Sequence, residues 1–220
     1  MKLTEKKLLI FDLDGTIADT LYSIMDAVNM CMEYYGFPTK TYEEVRAAVG
    51  NGAKVLIMRT MPIEVAQDPE RAEEVYGYFQ KCYGITYNRI NGCYSGMYEA
   101  MVELYRRGYT LAVLSNKPDA YVKGIISDLF DAKTISMALG ETEMPRKPDP
   151  TAPHYIARTL GFEFGECAFI GDSEVDIRTA KNSDFASVAV SWGFRTREDL
   201  ALCDPDIIID DPPQLLEIFE

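Results

Sequence analysis

Residues 8–16, Leu-Leu-Ile-Phe-Asp-Leu-Asp-Gly-Thr, join an unbroken apolar run to two aspartates spaced by one residue. Four apolar residues in a row, ended by polar ones, describe a strand buried on both faces, as in parallel sheets. Side chains alternate along an extended chain, so Asp12 and Asp14 project to one side while Leu13 points into the fold. Two carboxylates that close repel each other, raising one pKa unless a cation lies between them. Gly15 permits a sharp exit that leaves both at the carboxyl edge of the sheet, where open α/β folds place their ligands. A strand closed by an Asp-Gly turn reads the same way, so this stretch alone leaves chemistry and plain structure evenly matched.

Outward from it, the same pattern returns. Apolar runs ending in polar or glycine residues occupy 110–115 (TLAVLS), 167–171 (CAFIG), 186–191 (ASVAVS) and, near the end, 206–210 (DIIID). Helix-period stretches lie between them, such as MYEAMVELYRRG, which closes on Gly108 as a C-cap. Alternation of this kind predicts an α/β fold with a parallel sheet. From about Asp19 to Asn91 the rhythm breaks. LYSIMDAVNMCMEYYG, YEEVRAAVG, AKVLIMRTM and PERAEEVYGYFQKCYG are helical in period, punctuated by Gly36-Phe37-Pro38, Gly50-Asn51-Gly52 and Met61-Pro62. The predicted organisation is a core of residues 1–17 and 92–220 with an all-helical insertion over 18–91.

Composition narrows the function classes. The 220 residues are 47% hydrophobic, enough for a buried core, and carry 22 basic against 35 acidic side chains, a formal charge of −13. Such a surface repels phosphate backbones and anionic membranes, so neither nucleic acid nor a membrane is an expected partner. No apolar run approaches the ~20 residues of a membrane span. The run Leu8 to Phe11 is too short for a signal peptide, and the reading is a cytoplasmic protein. Five scattered cysteines without a CxxC spacing argue against a disulfide framework or zinc site. His154 is the only histidine, which weakens any Ser-His-Asp or Cys-His scheme.

Three further constellations could carry chemistry. Ser115-Asn116-Lys117 follows the TLAVL run, and a hydroxyl with backbone N–H groups at a strand tip can cradle an anion; an N-cap is the plainer alternative. In Arg146-Lys147-Pro148-Asp149-Pro150 a lysine pinned by two prolines could hold a point charge over a phosphate, although most such lysines are solvated. In Gly171-Asp172-Ser173-Glu174-Val175-Asp176, a helix starting near Ser173 puts Asp176 about one turn beyond Asp172. Oxygen ligands without imidazole or thiolate favour Mg²⁺, while acidic residues at a helix N-terminus are also common for their own sake. Each signal is ambiguous alone. Together they bring Asp, Asp, Ser, Lys, Asp and Asp to one sheet edge, which is what metal-assisted phosphoryl transfer requires.

This ordered set, DLDGT, SNK, RKP and GDSEVD, resembles the haloacid dehalogenase-like hydrolase superfamily over nearly the whole chain. The resemblance implies a Rossmann-like parallel sheet with the helical insertion as a C1-type cap. It further implies Asp12 as nucleophile and Asp14 as general acid/base, with Ser115, Asn116 and Lys147 binding phosphate. Asp12, the Asp14 backbone carbonyl and Asp172 would hold Mg²⁺, supported by Thr16, Ser173 and Asp176. AVGNGAKVLIMRTM and YSGMYEAMVELYRRGYTLAVLSNKP are most similar to phosphoglycolate phosphatases. Asn182-Ser183-Asp184-Phe185 departs from relatives, which usually carry a small residue and glycine there, and Ser95-Gly96 replaces a common Pro-Gly.

The expected function is Mg²⁺-dependent hydrolysis of a small phosphorylated metabolite, 2-phosphoglycolate or similar, through an aspartyl-phosphate, by a monomer or homodimer. A sugar-phosphate mutase, a pyrophosphatase or a nucleotidase would share the core; a phosphate-sensing binding module without turnover is the rival of another class. Gly50 to Gly52 could form a tight loop of the cap. Arg46, Lys54 and Arg59 lie near it in sequence, and Gly52, Lys54 and Arg59 are the candidate substrate contacts, with solvated helix faces the cheaper explanation of the cations. Tyr34, Tyr35, Tyr76 and Tyr78 read as packing.

Overall fold

A computed structural model of the chain describes residues 3–220. Six strands form one sheet: β1 (Leu8–Phe11), β2 (Thr110–Pro118), β3 (Met137–Glu141), β4 (Cys167–Gly171), β5 (Ala186–Val190) and β6 (Ile207–Ile209). Their order is β3-β2-β1-β4-β5-β6, and every pairing is parallel. That is the strand order of the doubly wound Rossmann sheet, with its switch point between β1 and β4.

The helices before β2 are α1 (Leu21–Tyr34), α2 (Tyr42–Ala48), α3 (Ala53–Thr60), α4 (Ile63–Ala66), α5 (Pro69–Thr86) and α6 (Met97–Arg106). After it come α7 (Asp119–Leu129), α8 (Thr151–Leu160), α9 (Glu174–Asn182), α10 (Arg197–Ala201) and α11 (Leu215–Ile218). No helix among the described residues is long and apolar enough to cross a membrane.

The chain divides into two compact units: Thr20–Asn91, and the remainder through Asp19 and from Gly92. Ala18 stays with the α/β unit, where it bridges to Asp14 and Cys93. In the helical unit, α1 buries Leu21, Ile24, Val28 and Cys31, a stripe spaced by three and four residues. It packs on α5, whose own stripe is Ala72, Val75, Phe79 and Cys82. Asp68 caps α5 by accepting from the Glu70 and Arg71 amides, with Pro69 at the first helical position.

In the α/β unit the period of two sorts the central strand. Leu8 and Ile10 join a cluster with Ala112, Leu114, Phe169, Ile156 and Ala157; Leu9 and Phe11 alternate with them and are also fully buried. Each such side chain contributes about 1.5–3 kcal/mol of transfer free energy, so β1 is anchored on both faces.

The structure corrects two details of the sequence reading, at β2 and β3, and gives a conformation to the unusual segment 182–185. β2 continues through Ser115, Asn116 and Lys117 to Pro118, so Ser115 is part of the strand and caps no helix. β3 had no signal as a strand: Met-Ala-Leu-Gly-Glu is a half-exposed edge with no β-branched residue. At 182–185 the chain makes a left-handed turn with φ 58° at Asp184, the conformation that glycine adopts at less cost.

Candidate active site

Parallel strands put all their carboxyl ends on one edge, and that edge collects the polar residues. Asp12 follows β1, Asp172 follows β4, Lys147 lies between β3 and α8, and Ser115, Asn116 and Lys117 end β2. β1 and β4 are neighbours in the sheet, which brings the DLDGT and GDSEVD segments side by side.

Lys147 is the hub. Its Nζ donates to Asp12 Oδ1 at 2.8 Å and to Asp176 Oδ1 at 2.7 Å, and all three side chains are at most 10% exposed. Asn116 holds the lysine's backbone from both ends: its Oδ1 accepts from the Lys147 amide at 2.9 Å and its Nδ2 donates to the Lys147 carbonyl at 3.2 Å. Phe169 lies under the ammonium, 5.3 Å from its ring centre.

Asp176 serves two purposes. Its Oδ2 accepts from the Ser173 amide (3.1 Å) and hydroxyl (2.5 Å), and Ser173 Oγ accepts from the Asp176 amide, closing a capping box on α9. The helix-terminus reading of the acidic run and the chemical one therefore meet in one side chain. Asp172 is 1% exposed; its Oδ1 accepts from Thr16 Oγ1 (3.2 Å) and its Oδ2 from the Phe194 amide (2.7 Å).

Asp14 faces β2. Its Oδ1 accepts from Lys117 Nζ at 2.7 Å and its Oδ2 from Ser115 Oγ at 3.5 Å. The Lys117 side chain is only 1% exposed.

Two glycines are needed for closeness. A Cβ on Gly15, which has φ 88°, would overlap the Asp172 carboxylate, and one on Gly193 would overlap both the Asp172 side chain and the Gly15 carbonyl oxygen.

The electrostatics follow from burial. Burial pushes the Asp12 carboxyl up to about 7, with Asp176 and Asp14 adding to the rise and Lys147 opposing it. Asp172 is raised well above the usual range by burial first, then by Asp176 and Asp12, against the Phe194 amide and Thr16 hydroxyl. Burial works against the Lys147 ammonium, yet Asp12 and Asp176 together hold its pKa above the ordinary lysine value. Asp12, Asp172 and Asp176 offer oxygens that lie within 4.8 Å of one another. An all-carboxylate donor set, buried and repelling itself, fits a hard divalent cation.

Among the sequence candidates in the α/β unit, Asp12, Lys147, Ser173, Asp176 and Asn116 form one hydrogen-bonded group; Asp172 pairs with Thr16 and places an oxygen within 4.8 Å of Asp12 and Asp176, and Asp14 pairs with Ser115. The pairing of the Lys117 side chain with Asp14, the Phe194 amide and Gly193 were not foreseen. The last two carry no chemistry in their side chains, so only the proximity of β4 and β5 reveals them. In the helical unit Gly52 precedes α3 with φ 86°, Lys54 Nζ pairs with Glu73 at 2.6 Å, and Arg59 donates to the Ala48 carbonyl at 3.3 Å. The Lys54 pair is exposed and contributes little stability.

Comparison with known proteins finds one family model, haloacid dehalogenase-like hydrolase, matching residues 9–190. A phosphoglycolate phosphatase of Vibrio vulnificus is 32% identical over 219 residues, covering 97% of this chain and 96% of its own. One from Pseudomonas savastanoi pv. phaseolicola is 32% identical over 214 residues, covering 96% of this chain and 78% of its own. Among solved structures, a Lactobacillus delbrueckii subsp. bulgaricus protein assigned as a phosphoglycolate phosphatase superposes with a TM-score of 0.90 at 31% identity, covering 100% of this chain and 99% of its own. A haloacid dehalogenase-like family hydrolase of Streptococcus pneumoniae shares the fold at 19% identity, with a TM-score of 0.88, covering 99% of this chain and all of its own.

Proposed function

The chain belongs to the haloacid dehalogenase-like hydrolase family, and we propose that it is a Mg²⁺-dependent phosphatase for a small phosphate monoester, 2-phosphoglycolate foremost. The observation that carries this is Asp12: a buried carboxylate at the sheet's switch point, oriented by Lys147 and adjacent to Asp172 and Asp176. Relatives of near-identical length named phosphoglycolate phosphatase support the substrate class.

Asp12 attacks phosphorus in line with the leaving oxygen. A P–O bond to Asp12 forms as the ester P–O bond breaks, and Asp14 delivers its proton to the departing alkoxide. Asp14 then takes a proton from water, whose oxygen bonds to phosphorus as the P–O bond to Asp12 breaks, freeing inorganic phosphate and restoring the Asp12 carboxylate. Lys147 places positive charge against the transferring oxygens, and Ser115 and Asn116 complete the phosphate cradle. Asp12, Asp172 and Asp176 against Lys147 give three negative charges and one positive, a formal −2 that repels a phosphate dianion. A Mg²⁺ held by Asp12, the Asp14 carbonyl and Asp172 would supply the missing positive charge and polarise the phosphoryl oxygens. Thr16, Ser173 and Asp176 keep these ligands in place.

The helical unit, residues 18–91 in the sequence reading, is the cap that selects the leaving group, with Gly52, Lys54 and Arg59 its candidate contacts. Phosphate release with and without Mg²⁺, across 2-phosphoglycolate, sugar phosphates, nucleotides and pyrophosphate, tests the proposal. Mg²⁺-dependent release strongest on 2-phosphoglycolate, abolished in Asp12→Asn, is the expected result. Turnover by Asp12→Asn refutes the mechanism, and stronger release from another ester refutes the substrate.

A further inference from the structure

Both aspartates of the DLDGT segment have a buried lysine of their own. Lys147 meets Asp12 at 2.8 Å, and Lys117 meets Asp14 at 2.7 Å. The first belongs to the phosphate site already described; the second has no part in it. A lysine side chain 1% exposed has lost its hydration, and a fold keeps such a group only where a partner compensates it. Lys117 lies on the β2 segment that also brings Ser115 Oγ within 3.5 Å of the other Asp14 oxygen. Ser115 Oγ in turn accepts from the Lys117 amide at 3.3 Å, so lysine, serine and aspartate form one closed set. Both oxygens of Asp14 are thereby tied to β2, while Asp12 is tied to Lys147. The two carboxylates are drawn to different cations.

We propose that Lys117 is a positioning residue for catalysis: it fixes the Asp14 carboxylate at the place from which it exchanges a proton with the leaving oxygen. The proposal rests on the reading of Asp14 as general acid/base. A misplaced acid costs most where the leaving group is a poor one. Alkyl phosphates need the proton as the bond breaks; p-nitrophenyl phosphate, whose phenolate leaves readily, needs it far less.

The test is the first chemical step, measured by rapid quench on 2-phosphoglycolate and by the nitrophenolate burst on p-nitrophenyl phosphate, in wild type, Lys117→Met, Asp14→Asn and the double variant, all with Mg²⁺. Asp14→Asn should lose about 10²- to 10⁴-fold on the alkyl ester and much less on the aryl ester. Lys117→Met should show the same selectivity, its alkyl loss exceeding its aryl loss by at least about tenfold, and should add little to Asp14→Asn in the double variant. Lys117→Arg, which keeps a cation, should recover part of the alkyl rate. Melting curves establish that each variant is folded, and Lys117→Gln replaces Lys117→Met if the latter is not.

Equal losses on both esters, or losses that multiply in the double variant, overturn the positioning role. A selective Asp14→Asn beside an unselective Lys117→Met overturns the lysine's part alone. An unselective Asp14→Asn overturns the acid/base reading and this proposal with it.

Discussion

Replacing Lys147 by methionine removes the ammonium and keeps most of the side chain's length and its contact with Phe169. Two hydrogen-bonded ion pairs vanish, at 2.8 and 2.7 Å, and three buried carboxylates are left within 4.8 Å of one another without that charge among them. Removing one partner of a buried pair costs about 3–5 kcal/mol, much of it the penalty of the stranded charge. For a chain of 220 residues each kcal/mol moves the melting point by about 2–4 °C, so the metal-free variant should melt about 6–20 °C below the wild type. The assay is calorimetry of chelator-treated protein at pH 7.5.

Two signatures mark the cause as charge. Saturating Mg²⁺ should raise the variant's melting point by more than the wild type's, because the cation neutralises carboxylates that have lost their lysine. The deficit should also narrow towards pH 5.5. Losing the lysine raises the folded-state pKa of Asp12 beyond its wild-type value of about 7, so between pH 7.5 and 5.5 the folded variant binds more protons than the folded wild type and gains more stability as pH falls. A metal-free deficit under about 1 kcal/mol would refute this account of the site, since that is the scale of an ordinary hydrogen bond. An equal response of both proteins to Mg²⁺ would do the same.

Gly193→Ala should push a methyl group into the Asp172 side chain and the Gly15 carbonyl, so the Mg²⁺ concentration for half-maximal phosphatase activity should rise at least about tenfold, since 1.4 kcal/mol of lost cation affinity suffices. An unchanged Mg²⁺ titration would show that the loop yields instead. Asp184→Gly should relieve the left-handed residue after α9 and gain about 0.5–1 kcal/mol, read as a higher denaturation midpoint with unchanged slope. Asp119→Ala should cost about 1–1.5 kcal/mol, because Asp119 Oδ1 accepts from the Gly140 amide at 2.9 Å and ties β3 to the start of α7. Partial burial works to raise the Asp119 pKa, but the Gly140 amide and Lys123 hold it below the usual value. Its contribution is therefore present above the unfolded pKa of about 4 and lost as pH falls through the lower folded value. The gap between Asp119→Ala and wild type should close in acid denaturation curves.

Much of the site was legible because its groups are local in sequence. Asp12 and Asp14 lie one and three residues past the end of β1, and Ser173 and Asp176 are three apart on one helix start, so short-range sequence was enough. The stretch 167–171 read as a strand for the same reason: it is apolar throughout and buried throughout. The Lys117 pairing with Asp14 was not legible, since it needs the register of β1 against β2 and the continuation of β2 to Pro118. Phe194 was invisible for a different reason: it contributes a backbone amide, and every residue but proline has one. β3 failed the pattern because an edge strand needs no continuous apolar run, and its Gly140 is dictated by Asp119, whose backbone a Cβ would strike.

The central strand has two neighbours that lie far along the chain, Leu8 pairing with Thr110 on one side and Cys167 on the other. During synthesis the ribosome therefore delivers β1 long before either partner, with all of the helical unit in between. A fully apolar strand must wait unpaired while that unit folds, exposed to the pairing errors that open edges invite. The acidic pair that follows it, Asp12 and Asp14, then has a second use: charges at the end of an apolar run discourage strand addition by other nascent chains. The residues proposed to carry the chemistry of the finished enzyme would also keep its first strand soluble before there is any site at all.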